Sequence, residues 1–402
     1  MFISFRFREY RIFWIGNATS NIGIWLLGAG RLWLMYDLTD SEIMLGLVTF
    51  ANLVPILALS MWGGVIADRI NRVKLVTVTR AMFAFTAILT GLLIFTDLIL
   101  PWHLIAISLV NGILLSFDIP CRQAIVPNLV PLKHLVNAVS LQSMLGSGSA
   151  VLGPSLLPIM IRFWNIEGVF FFIGGMYIFT TLMFSKLETQ PISRESKSNS
   201  PLKDLLSGLS YIKNNHIIIA LISIGVTSGL FASSLPTVLP VFATDILSGD
   251  IETYSSLLLS NGIGGIAGAL ILASLVGLRS SPAVQIISGL GSGIGFVALS
   301  TTGWYEAAIV IYTLTGVSSV IFGTINNTLL QSIVDDSYRG RVMSIHQIGW
   351  GASAIGGLIV GTLAEIYSVS VALALCGMIT AITVGSLSVF VSKTLSNKNM
   401  VN

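Results

Sequence analysis

Four residues early in the chain, Asn17, Asn21, Gly28 and Arg31, are spaced 4, 7 and 3 apart, which lays them along one stripe of a helix. The run that holds them is apolar enough to cross a bilayer. A polar stripe there marks either the wall of a watery cavity or a seam where asparagines join helices. Arg31 is the sharpest of the four. Inside a span, a guanidinium grips an anionic group such as a carboxylate, catecholate or phosphate, or its long side chain reaches back to the headgroups past Tyr36. Further along, Asn111 and Asp118 are seven apart and share a face, and Arg122 follows Asp118 by four residues. That spacing makes an ion pair if the helix survives Pro120. The second half offers Asn261, Asn326, Gln331, His346, Gln347 and Trp350. A membrane histidine either relays a proton or makes one interhelical hydrogen bond. Substrate contacts are therefore expected among Asn17, Asn21, Arg31, Asn111, Asp118, Asn326, Gln347 and Trp350, and proton coupling at Asp118 or His346.

A second concentration of chemistry is the stretch Gly63-Gly64-Val65-Ile66-Ala67-Asp68-Arg69-Ile70-Asn71-Arg72-Val73-Lys74. It sets one carboxylate among three cations, between two apolar runs of roughly 20 residues each. So short a connection is a hairpin at one membrane face, and its cations assign that face to the cytoplasm. If the stretch is helical, Asp68 and Arg72 are i,i+4 partners. Read by itself, it is a basic anchor that sets orientation.

These residues need a membrane protein to position them. Of 402 residues, 54% are hydrophobic and only 10% charged, far below the charge density of soluble domains. The net charge of +3 is too small to suggest nucleic acid. Cys121 and Cys376 are too few for a disulfide framework or a zinc site, and no metal or cofactor is expected. No phosphate-binding loop or nucleophile–base pair is present, so neither ATP drive nor catalysis is supported. Apolar runs fall at about 12–36, 43–66, 73–96, 102–120, 136–160 and 168–185, and again at about 216–243, 254–277, 282–300, 305–328, 341–366 and 369–391. This predicts twelve helices as two six-helix halves, 1–185 and 215–393. Between them lies a cytoplasmic linker, 186–214, with an amphipathic helix over Leu202, Leu205, Leu206, Leu209 and Ile212; a short tail, 394–402, follows. With both termini inside, all 21 Lys and Arg residues except Arg31 and Arg162 sort to the cytoplasmic side, Arg80 among them. No carboxylate is expected at mid-membrane, since Asp37, Asp118, Glu306 and Glu365 sit toward span ends. A faint repeat relates the halves: Asp118-Ile-Pro-Cys-Arg-Gln123-Ala-Ile-Val and Asn326-Asn-Thr-Leu-Leu-Gln331-Ser-Ile-Val occupy equivalent places.

The hairpin resembles the signature between the second and third helices of the major facilitator superfamily, Gly-x-x-x-Asp-Arg-x-x-Arg-Arg/Lys. Gly64, Asp68, Arg69 and Arg72 fill the pattern, and Lys74 supplies the last cation one residue late. Trp33-Leu-Met-Tyr36-Asp-Leu38-Thr39-Asp-Ser41, Pro120-Cys-Arg122-Gln123-Ala124 and Arg339-Gly340-Arg341-Val342-Met343-Ser344 resemble the enterobactin-exporter-like branch that exports drugs and siderophores. The resemblance implies a twelve-helix fold with its substrate site between the halves near mid-membrane. It makes Gly64, Asp68, Arg69, Arg72, Arg122, Arg339 and Arg341 gating or motif residues rather than ligands. Two departures bear on mechanism. Ser108 stands where relatives with the fourth-helix signature place a coupling arginine, and the fifth-helix antiporter signature survives only as Gly153-Pro154.

The function expected from all this is secondary export of a small organic solute, a siderophore or drug-like and anionic compound, across a bacterial inner membrane by alternating access with protons. The expected partners are that solute, protons and the lipid bilayer, with the protein acting as a monomer and no nucleic acid bound. Two alternatives stand beside it: import by the same fold, and a membrane sensor that transports nothing.

Overall fold

The computed structural model describes residues 3–187, 201–274 and 281–399; within these, the side chains at 60–69, 147, 201–206, 336–337, 339–340, 344, 347–348, 350 and 395–399 are not described. The chain is helical almost throughout: α1 (Arg8–Thr39), α2 (Glu42–Arg69), α3 (Arg72–Phe95), α4 (Pro101–Leu129), α5 (Leu135–Phe184), α6 (Pro201–Lys213), α7 (His216–Thr227), α8 (Leu239–Val241), α9 (Ile251–Ser274), α10 (Pro282–Ser300), α11 (Tyr305–Ile333), α12 (Asp336–Ile366) and α13 (Val369–Asn399). Among the described residues, nine helical runs are long and apolar enough to cross a membrane. One of them, Leu132–Phe184, has the length of two crossings. It divides at Asn165 (φ 54°, ψ −174°), a positive-φ backbone far from the helical region. The expected first and eleventh spans are helical as α1 and α12, and the fold is the all-helical membrane architecture anticipated from the hydropathy pattern.

Two compact units account for the chain: Met1–Asp40 with Ala51–Lys197, and Ser41–Phe50 with Ser198–Asn402. In the first, α1 and α3 both pack along α5, and α4 packs on α3. One end of this unit is cored by Tyr10, Phe13, Val76, Cys121, Ile125 and Phe184. In the second, α10 packs on α13, α9 on α11, and α12 against α6, α7 and α13. The opening turns of α2 belong here: Ser41 Oγ donates to Glu365 at 2.9 Å and the Ile43 amide to the same carboxylate at 3.2 Å. The linker over 188–200 and the segment around Arg279 lie outside the described residues.

Small residues let these helices approach closely. A Cβ at Gly112 of α4 would collide with the backbone carbonyl of Asn52 in α2, whereas one at Gly28 of α1 would meet nothing within 4 Å. Gly112→Ala is accordingly expected to cost about 1–3 kcal/mol, the usual penalty of overpacking, and Gly28→Ala to be neutral or slightly stabilising. Melting of the two purified variants, followed by tryptophan fluorescence, checks the contrast.

Four expectations need correction. Asp68 and Arg72 do not share a helix: α2 ends at Arg69, and Asn71 caps α3 by accepting from the Lys74 amide at 3.1 Å. The i,i+4 relation needs unbroken helix and is lost there. The fourth helix does not stop at Pro120 but continues to Leu129, so Asp118 is well inside it and fully buried. Arg80, counted among the loop-side cations, lies in the interior of α3 with no exposed surface. Finally, the seventh span is not one helix. Beyond Thr227 it passes through a π-helical turn, Ser228–Ala232, a 3-10 turn, Leu235–Val238, then α8 and a second π turn, Phe242–Ile246. Pro236 and Pro240 lack the amide hydrogens a regular helix needs. The amphipathic helix is present as α6, with Ile212 buried among Ile217, Leu221, Val342 and Ile345 and Leu209 left exposed.

Candidate functional site

In the first unit, polar side chains from four helices meet around Asp118. α3 contributes Thr79 and Arg80 from adjacent positions; α4 contributes Asp118 and, one turn later, Arg122. Arg80 Nη2 donates to Asp118 Oδ2 at 2.7 Å, and neither side chain has any exposed surface. Thr79 Oγ1 donates to the other carboxylate oxygen at 2.9 Å. Arg122 Nε is 3.4 Å from Asp118 Oδ2, the i,i+4 contact that the spacing predicts on an uninterrupted helix. From α1, Asn17 Oδ1 accepts from Arg122 Nη1 at 2.8 Å, and Asn17 Nδ2 donates to Gln142 Oε1 of α5. Asn21 donates back to the Asn17 carbonyl at 2.7 Å and its amide oxygen at 3.1 Å. The Arg80 guanidinium lies 5.8 Å from the ring centres of both Phe83 and Tyr177. Ionised groups in a membrane interior are costly unless paired and hydrogen-bonded, and this set is paired at its centre.

The second unit builds the same contact without charge. Gln285 of α10 donates from Nε2 to Asn326 Oδ1 of α11 at 2.9 Å, and Asn326 Nδ2 donates to the Leu221 carbonyl at 3.3 Å. Gln285 is fully buried and Asn326 is 3% exposed. Asn326 and Asp118 are each five residues before the glutamine of the sequence repeat. The repeat thus carries Arg–Asp in one half and Gln–Asn in the other. Beside the neutral pair is a cavity of about 630 Å³. Small and hydroxylated residues of the unwound seventh span (Gly225, Ser228, Gly229) line it with Asn261, Tyr312 and His346. Irregular backbone at membrane depth is tolerated where it lines such a space. Among the described residues, no Asp, Glu, Lys or Arg contributes to its wall.

The residues singled out from sequence are thus partly gathered and partly dispersed. Asn17, Asn21, Asp118 and Arg122 converge. Arg31 is elsewhere in the same unit, its Nη2 donating to Asn52 Oδ1 at 3.3 Å, and Asn52 in turn donates to the Ser108 carbonyl at 3.3 Å. Asn111 accepts from Thr86 Oγ1 at 2.9 Å and is buried between α3 and α4. Arg72 Nη1 donates to the Ala124 carbonyl at 3.4 Å, and the Arg341 guanidinium stands 5.6 Å from the Tyr338 ring centre. The side chains of Gly64, Asp68, Arg69, Arg339, Gln347 and Trp350 lie outside the described residues. Reasoning from sequence missed Arg80, Gln142 and Gln285. For Arg80 the signal was present: it is eight residues into an apolar run, too deep to count as a loop cation.

Comparison with known proteins agrees with this architecture. A family model described as transmembrane secretion effector matches residues 1–400. The staphyloferrin A transporter of Staphylococcus aureus is 26% identical over 385 residues, covering 94% of each chain. Macrolide efflux protein A of Streptococcus pyogenes is 19% identical over 342 residues, covering 84% of each. Among solved structures, a bacterial homologue of the human lysosomal transporter Spinster superposes with a TM-score of 0.76 at 12% identity, covering 96% of both chains. The nucleoside transporter NupG gives 0.71 at 13% identity, covering 97% of this chain and 98% of its own. The structural likenesses speak to fold; the match of the family model over the chain speaks to kinship, and with it the protein belongs to the transmembrane secretion effector family, membrane transporters of the efflux and siderophore branch of the major facilitator superfamily.

Proposed function

We propose that this protein exports a small organic solute across the inner membrane of a bacterium by alternating access, with protons moving the other way. The observation that carries the reading is the Arg80–Asp118–Arg122 cluster. The second unit fills the equivalent place with a neutral pair, so the fold does not need ions there. Charges kept inside a span at a cost, where neutral groups suffice for packing, point to solute or ion handling. Asp118 is the coupling residue in this reading, with Asn17 and Asn21 toward the solute and Arg122, a motif residue, paired with Asp118. His346, on the wall of the uncharged cavity, is a second proton candidate. Arg31 and Asn111 remain solute-contact proposals, as do Asn326 beside the cavity, Gln347 and Trp350. Gly64, Asp68, Arg69 and Arg72, with Arg339 and Arg341, form the cytoplasmic latch. The direction follows the macrolide efflux proteins to which the chain is similar. The working protein is a monomer with both termini in the cytoplasm.

Metabolite profiles of a deletion strain and its complemented parent test this. Export predicts at least one compound that accumulates inside the deletion strain, is depleted from its medium, and returns to normal on complementation. A compound left behind in the medium instead establishes uptake, and unchanged profiles on both sides of the membrane remove transport.

A further inference from the structure

The cavity of the second unit is walled by five stretches of chain that contain no Asp, Glu, Lys or Arg: 217–244, 253–278, 280–305, 307–334 and 342–364. This follows from the sequence and holds for every side chain in them. A charged group of a solute entering here would shed its water and meet no counter-ion from these walls, which is costly. At about 630 Å³ the cavity has the size of a site for a small organic ligand.

Polar atoms around this space have no partners in the protein. Tyr312 lines the cavity at 2% exposure, and no described residue bonds its hydroxyl, although a buried phenol ordinarily finds a partner. Asn261 Nδ2 donates to the Tyr312 carbonyl at 3.3 Å. A carbonyl only accepts, so the amide nitrogen must face it and Asn261 Oδ1 is turned away, unbonded among the described residues. His346 Nδ1 is buried and has no hydrogen-bond partner among the described residues. Ser228, on the π-helical turn of the seventh span, adds a hydroxyl that bonds to no described residue. Phe296 stands beside these groups, its ring centre 6.5 Å from that of Tyr312 and tilted by 58°. The wall therefore offers neutral donors and acceptors next to an aromatic surface.

We propose that this cavity holds an uncharged, hydroxyl-bearing part of the solute, several alcohols carried on an apolar body. Alcohols both donate and accept, so they serve Asn261 Oδ1 and His346 Nδ1 as well as the hydroxyls of Tyr312 and Ser228. The apolar body covers the rings of Phe296 and Tyr312. Carboxylate, phosphate and ammonium groups find nothing on these walls to pair with. The proposal deepens the export reading and rests on it, adding the chemical class of what the second unit recognises.

The test uses the full-length protein in lipid nanodiscs, free of sugar detergents. Phenyl β-D-glucoside is titrated at pH 7 and constant ionic strength while melting is followed by tryptophan fluorescence. Phenyl β-D-glucuronide, which carries a carboxylate on the same ring, is the matched control. The glucoside is expected to stabilise wild type, and the glucuronide to need at least about tenfold more for the same shift. Tyr312→Phe removes a hydroxyl that holds nothing in the protein. It should melt like wild type and bind the glucoside at least about fivefold more weakly. Gly323 supplies the second probe, because it lines the cavity and a Cβ there would meet nothing within 4 Å. Gly323→Leu should fold, with melting at or above that of wild type, and lose the response to the glucoside. A wild type indifferent to the glucoside, a glucuronide equal to it, or a Tyr312→Phe or folded Gly323→Leu protein that responds like wild type each overturns the site. The export reading is judged separately by the deletion-strain profiles, which do not depend on these titrations.

Discussion

Asp118→Asn alone is expected to leave little folded protein in the membrane, and adding Arg80→Gln to it is expected to restore folding. The single change removes the carboxylate that, among the described residues, faces two guanidiniums, one of which is fully buried. Breaking a buried pair by deleting one partner costs about 3–5 kcal/mol, most of it the burden of an unanswered charge. The double variant replaces Arg–Asp by Gln–Asn, the combination that α10 and α11 already use. It leaves Arg122, which keeps Asn17 and a partly exposed side. Melting temperature should fall by at least about 5 °C in the single variant and return close to wild type in the double one. A single variant as stable as wild type shows that Asp118 is not what holds the two arginines.

The reverse exchange should fail in the opposite half. Asn326→Asp places a carboxylate in a site that is 3% exposed, where Gln285 offers one amide and the Leu221 carbonyl can only accept. The carbonyl that now receives a hydrogen bond from Asn326 would face a like-charged oxygen. The expected cost is again several kcal/mol, on the order of 3–5 for a buried ion without a counter-ion, seen as lost expression or early melting. Gln285→Arg in the same protein should recover part of it by recreating the pair of the first unit. Recovery to no degree, with both variants equally unstable, would mean that the two repeats differ in more than the charge of these residues.

How much of this was legible beforehand depends on which interaction set each feature. Helix positions follow from runs of apolar residues, a local property, and they came through; the kink at Asn165 and the cap at Asn71 use residue types that announce such breaks. The convergence of Asn17, Asp118 and Arg122 was half visible, because spacings of four and seven fix a shared face but not the helix that face meets. Arg80 was misplaced because one cation sorts acceptably to either side when only loops are counted. Its partner sits 38 positions away, and only packing of α3 on α4 brings them together. Gln285 gave no signal, since a glutamine near a helix start reads as ordinary surface. The repeat was recognised from Gln-small-Ile-Val, yet its most informative column, Asp118 against Asn326, acquires meaning only when the partners Arg80 and Gln285 are known. The broken seventh span was obscured by an apolar run that stays continuous through its prolines.

The central claim is that the charged cluster of the first unit works in transport and is not needed for packing. Once a transported compound is identified from the deletion strain, its movement into everted membrane vesicles under an imposed proton gradient should be compared for wild type and Arg80→Gln/Asp118→Asn at equal amounts of folded protein. The account predicts wild-type melting for the double variant with transport reduced at least about a hundredfold, the loss expected when a proton-handling carboxylate is removed. Transport at the wild-type rate by the folded, neutral protein would contradict it.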